Sequence, residues 1–149
     1  MLYLGIIAGI FTLDFWIMQY VDKKYSLKEK HLKFKNKIYI EKYYNYGAAL
    51  NLLQKYPRVT RLLQTIMMVI VCVWYYISVK KSAKAIEKIG VACLLGGGLN
   101  NLYDRYTKGY VVDYLGFEFG PRWFRRIIFN ISDFFVFIGA VMIVLQYRE

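Results

Sequence analysis

The chain has 149 residues and a mass of 17.7 kDa, is 58% hydrophobic and 19% aromatic, and carries 21 Lys+Arg against 10 Asp+Glu for a formal charge of +11. That apolar content excludes a disordered chain, the length allows one domain, and two cysteines inside apolar runs (Cys72 and Cys93) exclude a disulfide framework. A mean hydropathy of +0.29 beside 21% charged residues requires the charges to be segregated from the apolar residues, and membrane spans joined by basic connections are the simplest segregation.

Four stretches are apolar enough to cross a bilayer, which takes roughly 20 mainly apolar helical residues. The first runs from residue 2 to 21 and is interrupted by Asp14. It has no basic start, no small-residue cleavage site and an acid within its apolar run, so it is expected to be a permanent helix and not a cleavable signal peptide. The second covers about 62–79, the third about 89–103 and the fourth about 127–147. Gly96-Gly97-Gly98 and Gly5-x-x-x-Gly9 are expected to be sites of close helix packing. Trp74-Tyr75-Tyr76 and Trp123 fit an interfacial aromatic belt.

The connection after the first span is rich in lysine, and residues 32–40 alternate apolar with polar, a half-buried strand signal. A lone strand leaves backbone groups unpaired in hydrocarbon, so this one should lie at the membrane surface. The connection after the third span, residues 110–123, is aromatic and β-branched and could pair with it. The expected architecture is therefore an all-α polytopic membrane protein of one domain, 1–149, with four transmembrane helices and a small interfacial β-region over about 22–61 and 110–123. Both long connections share one membrane face and carry 16 Lys+Arg against 5 on the other, which by the positive-inside rule favours a cytoplasmic location for them. The lysine-rich segment 23–42 is expected to lie over anionic phospholipid headgroups. No soluble domain exists to present it to nucleic acid.

Ionisable residues in or at the ends of spans are functional-site candidates. Asp14, Asp104, Asp113 and Asp133 qualify. Asp113 sits just after the third span and Asp133 one turn into the fourth, so antiparallel neighbours place both carboxylates at one membrane level. Two such carboxylates share one proton, one acting as base on a water and the other as acid on a peptide carbonyl oxygen. Such a pair needs no metal, serine or histidine, and His31 is the only histidine in the chain. The bland alternatives are a capping role for Asp133 behind Asn130, and a surface turn or an Arg105 partnership for Asp113. Asn101, Asp104 and Arg105 fall on one helical face, where Asp104 could equally anchor an ion pair with Arg105 or Lys108.

In order along the chain stand Asn45-Tyr46-Gly47-Ala48-Ala49, then Gly97-Gly98-Leu99-Asn100-Asn101-Leu102-Tyr103-Asp104-Arg105, then Gly109-Tyr110-Val111-Val112-Asp113-Tyr114, then Phe129-Asn130-Ile131-Ser132-Asp133. These four motifs resemble those of the bacterial lipoprotein signal peptidases, or signal peptidase II, over essentially the whole chain. The resemblance implies an aspartic endopeptidase that removes the signal peptide from diacylglyceryl-modified prolipoproteins. It further implies catalytic Asp113 and Asp133, substrate contacts from Asn45, Gly47, Asn101, Arg105 and Asn130, and support from Asp104, with no metal and no cofactor. The implied partners are lipidated prolipoproteins and membrane phospholipids. The implied location is the bacterial cytoplasmic membrane, with termini inside and the sheet and active site near the extracytoplasmic face, opposite to the charge count. The chain departs from the family pattern at Phe15 and Met18, where Gln and Lys are usual after the Asp14 position, and at Leu50, Asn100 and Ser132. A catalytically silent relative that binds lipids or lipoprotein precursors is the alternative, resting on the absent Lys and on Asn100. A proton-linked transporter is disfavoured because the acids gather at one membrane face.

Overall fold

The computed structural model describes residues 1–48 and 52–147. Ala49 and Leu50 of the first motif, and Arg148 of the charge count, lie outside the described residues. Among the described residues are four helices, α1 (Leu2–Lys24), α2 (Pro57–Lys80), α3 (Ala85–Thr107) and α4 (Ile131–Gln146), and four strands, β1 (Lys30–Lys33), β2 (Ile38–Asn45), β3 (Val111–Phe117) and β4 (Ile128–Phe129), in the order α1-β1-β2-α2-α3-β3-β4-α4. A 3-10 turn at Phe124–Arg126 precedes β4.

Helix α3 is the centre of the bundle and packs against α1, α2 and α4. Its small residues permit this. A Cβ on Gly97 would stand 2.5 Å from the Ser132 carbonyl oxygen, and one on Gly139 would stand 2.5 Å from the Gly90 carbonyl oxygen, so α3 and α4 approach backbone to backbone. Gly96 meets Ile10 of α1, and Gly98 meets Met68 of α2. The expected packing role thus holds for Gly96, Gly97 and Gly98. It fails for Gly5 and Gly9, which have nothing within 4 Å and lie on the outer face of α1.

Helices α1 and α2 are long and apolar enough to cross a membrane, and α4 is a shorter apolar helix of 16 residues. Their outward faces carry Leu13, Trp16, Leu62, Ile66, Ile70 and Phe137, all exposed, as large apolar side chains are where a helix faces lipid or a partner. Polar groups are kept inside. At the end of the bundle away from the sheet, the Glu87 carboxylate accepts hydrogen bonds from Trp74 Nε1 (3.0 Å), Ser78 Oγ (2.5 Å) and Gln146 Nε2 (2.9 Å), joining α2, α3 and α4.

The strands form one antiparallel sheet in the order β1-β2-β3-β4. Because β2 follows α1, β3 follows α3 and β4 precedes α4, both long connections lie at one end of the bundle. The expected pairing between them is present, with Ile38 opposite Phe117 and Tyr43 opposite Asp113. Residues 32–40 are not one strand, however. Phe34, Lys35 and Asn36 all have positive φ (47°, 54° and 62°) and turn the chain, splitting the alternating segment into a β1–β2 hairpin that pairs Lys33 with Ile38. The β-region also ends sooner than expected, since residues 57–61 already belong to α2, where Pro57 starts the helix. The fourth helix begins at Ile131 and not near 127, because residues 128–129 pair with β3 and Asn130 caps the helix.

Candidate active site

Asn130 is where strand becomes helix. Its side-chain oxygen accepts from the Asp133 N–H (3.0 Å), and the Asp133 carboxylate accepts from the Asn130 N–H (3.1 Å), a reciprocal capping box. The capping alternative for Asp133 is therefore real. It also fixes the carboxylate at the open mouth of α4, facing the sheet.

Asp113 arrives from β3. Asn45 lies diagonally across from it on the same face of the β2–β3 pair, and Asn45 Nδ2 donates to Asp113 Oδ2 at 2.9 Å. Asn130 Nδ2 donates to Asp113 Oδ1 at 2.8 Å and to Asn101 Oδ1 at 3.1 Å, and Asn101 Nδ2 donates to Asp133 Oδ1 at 3.1 Å. All four carboxylate oxygens therefore hold one donor each, and the amides of Asn130 and Asn101 link the two acids. Asp113 is only 2% exposed and Asn130 is fully buried. Burial first, and the Asp133 charge second, push the Asp113 carboxyl well above the usual carboxylate range, against the lowering pull of Asn45, Asn130 and Arg105.

Arg105 stands one turn beyond Asn101 on α3. Its Nη1 donates to Gln64 Oε1 at 2.8 Å, and its Nη2 donates to the Gly47 carbonyl. Asn45 Oδ1 accepts from the Gly47 N–H at 2.9 Å, which folds residues 45–47 into a turn beside the guanidinium. Arg105 thus bonds neutral acceptors and leaves both aspartates in its field without an ion pair to either, so the alternative of an Asp113–Arg105 partnership is not what forms.

These groups open on a cavity of about 1330 Å³. Asn45, Asn101, Arg105, Asp113, Asn130 and Asp133 form its polar floor, and Leu63, Met67, Val136, Phe137 and Ala140 contribute an apolar wall. Asn45, Gly47, Asn101, Arg105, Asp113, Asn130 and Asp133, expected from the sequence to act together, form one connected network. Asp104 does not join it. It faces the other side of α3, with Lys108 Nζ at 3.1 Å and the Val112 N–H donating to its Oδ2 at 3.3 Å. The shared face expected for Asn101, Asp104 and Arg105 is split because residues 104 and 105 stand about 100° apart around a helix.

Gln64 was not expected, and Asp14, a candidate from the sequence, takes a bracing position. Gln64 holds Arg105 while its Nε2 donates to the Gly98 carbonyl at 3.2 Å, and a glutamine within an apolar span was the available signal. Asp14, fully buried on α1, accepts from Tyr114 Oη (2.7 Å) and from the Ser132 N–H (2.9 Å), so it braces the residue after Asp113 and the residue before Asp133. Met18, one turn along α1, places its sulfur 3.4 Å from Asn100 Nδ2, and Asn100 Nδ2 lies 3.3 Å from Ser132 Oγ. Three of the noted departures thus meet behind the aspartates in a single buried contact. Among the described residues no group of three His, Cys, Asp or Glu side chains could hold a metal.

Comparison with known proteins agrees with the architecture and with the family resemblance. A family profile described as "Signal peptidase (SPase) II" matches residues 6–148. The lipoprotein signal peptidase of Alteromonas mediterranea is 34% identical over 149 residues, covering 97% of this chain and 79% of the relative. That of Mesorhizobium japonicum is 31% identical over 142 residues, covering 95% of this chain and 82% of the relative. Among solved structures, a bacterial membrane enzyme determined by the in meso method superposes with a TM-score of 0.85 at 21% identity, over 98% of this chain and 87% of that one.

Proposed function

The chain belongs to the signal peptidase II family and is a peptidase that removes signal peptides from prolipoproteins, and from that premise we propose that Asp113 and Asp133 are its catalytic pair. The observation that carries this reading is the closed amide network that supplies each oxygen of both carboxylates with one donor and bridges them through Asn130 and Asn101.

Asp113, held above the ordinary carboxylate range, keeps the proton the pair shares. Asp133 takes a proton from a water as its oxygen bonds to the scissile carbonyl carbon, while Asp113 gives its proton to the carbonyl oxygen. The tetrahedral species then collapses. The C–N bond breaks, the amine leaves with the proton Asp133 acquired, and a hydroxyl proton returns to Asp113. Asn45, Gly47, Asn101, Arg105 and Asn130 hold the substrate backbone against the pair, with Arg105 offering a planar fork of donors. Asp104 supports the site from behind by holding β3 at Val112.

The cavity suits a diacylglyceryl-modified cysteine and the extended peptide leading to it. Its apolar wall takes acyl chains and its polar floor takes the peptide. The protein is a single membrane-embedded domain crossing the bacterial cytoplasmic membrane four times, α3 and α4 included. α3 buries its polar face among the other three helices and so needs no high mean hydropathy of its own. The sheet and the aspartates lie near the extracytoplasmic face, where an exported precursor presents its lipidated cysteine, and the headgroups beside the sheet are anionic phospholipids. Purified protein incubated with a lipidated precursor should release the signal peptide amino-terminal to the modified cysteine. An intact precursor after prolonged incubation with folded protein would leave only a binding role.

A further inference from the structure

A second, smaller cavity of about 140 Å³ lies between the first turn of α2 and the end of α3, lined by Pro57, Arg58, Arg61, Arg105 and Gly109. Three arginines and no acidic residue are among its lining residues. Like charges gathered in this way repel unless an anion sits between them. Helix α2 begins here at Pro57 with no side-chain cap among the described residues and no acid in its first turn, so no acidic side chain of that turn offsets the positive end of its dipole.

Arg105 adds an independent sign. It is 7% exposed, and its Nε is buried with no hydrogen-bond partner among the described residues. Arg61 is held in position, its guanidinium 5.2 Å from the Tyr106 ring centroid and its Nη1 donating to the Arg105 carbonyl at 3.5 Å. Arg58 is exposed at the mouth. The space admits several water-sized groups.

We infer that this arginine-lined cavity is a phosphate-binding site, filled by the headgroup of an anionic phospholipid at the membrane surface. Guanidinium pairs phosphate oxygens two at a time, and a helix start adds backbone donors to the same anion. The ends of α2 and α3 reach the level of the bundle that carries the sheet, so a phosphodiester is the anion most concentrated there. Because Arg105 lines both cavities, a bound headgroup adjoins the residue that faces the aspartates. The site requires no peptide hydrolysis and is tested without it.

The test is thermal unfolding of the detergent-solubilised full chain with three separate probes: dihexanoyl phosphatidylglycerol, inorganic phosphate, and dihexanoylglycerol, which lacks the phosphate. A ligand that binds the folded state alone raises the unfolding temperature. The wild type should be stabilised by phosphatidylglycerol and not by dihexanoylglycerol, and Arg58→Gln/Arg61→Gln should weaken that response by about tenfold or more in apparent affinity. Lys33→Gln/Lys35→Gln, which removes as much charge from the hairpin tip, should respond as the wild type does. A shift from inorganic phosphate as large as that from phosphatidylglycerol, and lost in the arginine variant, keeps the site and names free phosphate as its occupant. Arg58→Gln alone, at an exposed position, serves if the double variant does not fold. No shift in the wild type with either phosphate probe, an undiminished shift in the arginine variants, an equal loss in the lysine variant, or an equal shift with dihexanoylglycerol would overturn the assignment.

Discussion

Replacing Asn130 by alanine separates the structural and chemical duties of one side chain. The substitution removes the donor to Asp113 at 2.8 Å, the donor to Asn101 at 3.1 Å and the acceptor that caps the Asp133 N–H at 3.0 Å. Loss of the cap costs about 1 kcal/mol, and loss of a bond to a buried carboxylate about 1.5–3 kcal/mol. If the Asp113 bond persists into the transition state, its loss alone slows turnover by roughly 10- to 150-fold. Asn130→Ser keeps a capping oxygen but lacks the amide that reaches Asp113. Thermal unfolding and initial cleavage rates of the reconstituted protein on a lipidated precursor should therefore diverge: serine recovers about 1 kcal/mol of the lost stability and little of the lost rate. Full rate in the serine variant, or an alanine variant within twofold of wild type, would refute the role given to the Asn130 amide.

Further expectations concern charge, packing and orientation. A carboxyl whose folded-state value lies above its ordinary 3.8 contributes stability that is complete below that value and is lost as pH rises through the folded-state value. Asp113→Asn should accordingly melt higher than wild type at neutral and alkaline pH, with the gap closing towards pH 4; parallel melting profiles would contradict the buried-carboxyl argument. The cleavage rate should follow a bell-shaped pH profile whose alkaline limb, set by loss of the shared proton, lies above the usual carboxylate range, whereas a flat profile with chemistry limiting would count against proton sharing. Gly97→Ala, which drives a Cβ onto the Ser132 carbonyl, should cost about 1–3 kcal/mol and most of the activity, while Gly5→Ala, with nothing within 4 Å, should be neutral in the same melting and cleavage assays. With Cys72 and Cys93 replaced, a membrane-impermeant thiol reagent should label Lys35→Cys in intact cells and miss Lys84→Cys. The reverse pattern would put the sheet in the cytoplasm.

What the sequence disclosed and what it hid divide along physical lines. The apolar runs of α1 and α2 are visible because lipid-facing helices must be apolar on their outer surface whatever packs behind them. Asp113 and Asp133 are visible as acids at span ends, whereas Asn45, Asn101 and Asn130 are legible only through the resemblance of their motifs to the family; in the fold these residues supply one another's partners. The hairpin was hidden because alternation in Leu32 to Ile40 continues straight through a turn whose three left-handed residues, Phe34, Lys35 and Asn36, include no glycine. The Gly5/Gly9 spacing misled because small residues at helical intervals permit close packing without requiring it; no neighbour approaches that face. Asp104 was grouped with Arg105 by spacing alone, yet adjacent residues on a helix diverge by about 100°, and Lys108 claims Asp104 for the back of α3. The bracing by Asp14 depends on contacts across 100 and 118 residues of chain, which no local pattern encodes.

The measurement that bears most directly on the catalytic pair is cleavage of a diacylglyceryl-modified precursor by wild type, Asp113→Asn, Asp133→Asn and the double variant, each purified and shown to be folded by its melting curve. Each single substitution should abolish turnover, and the double should lose little more than either, because the two carboxyls act as one proton-sharing unit. Robust cleavage by either single variant would contradict the assignment of Asp113 and Asp133 as the pair that hydrolyses the bond.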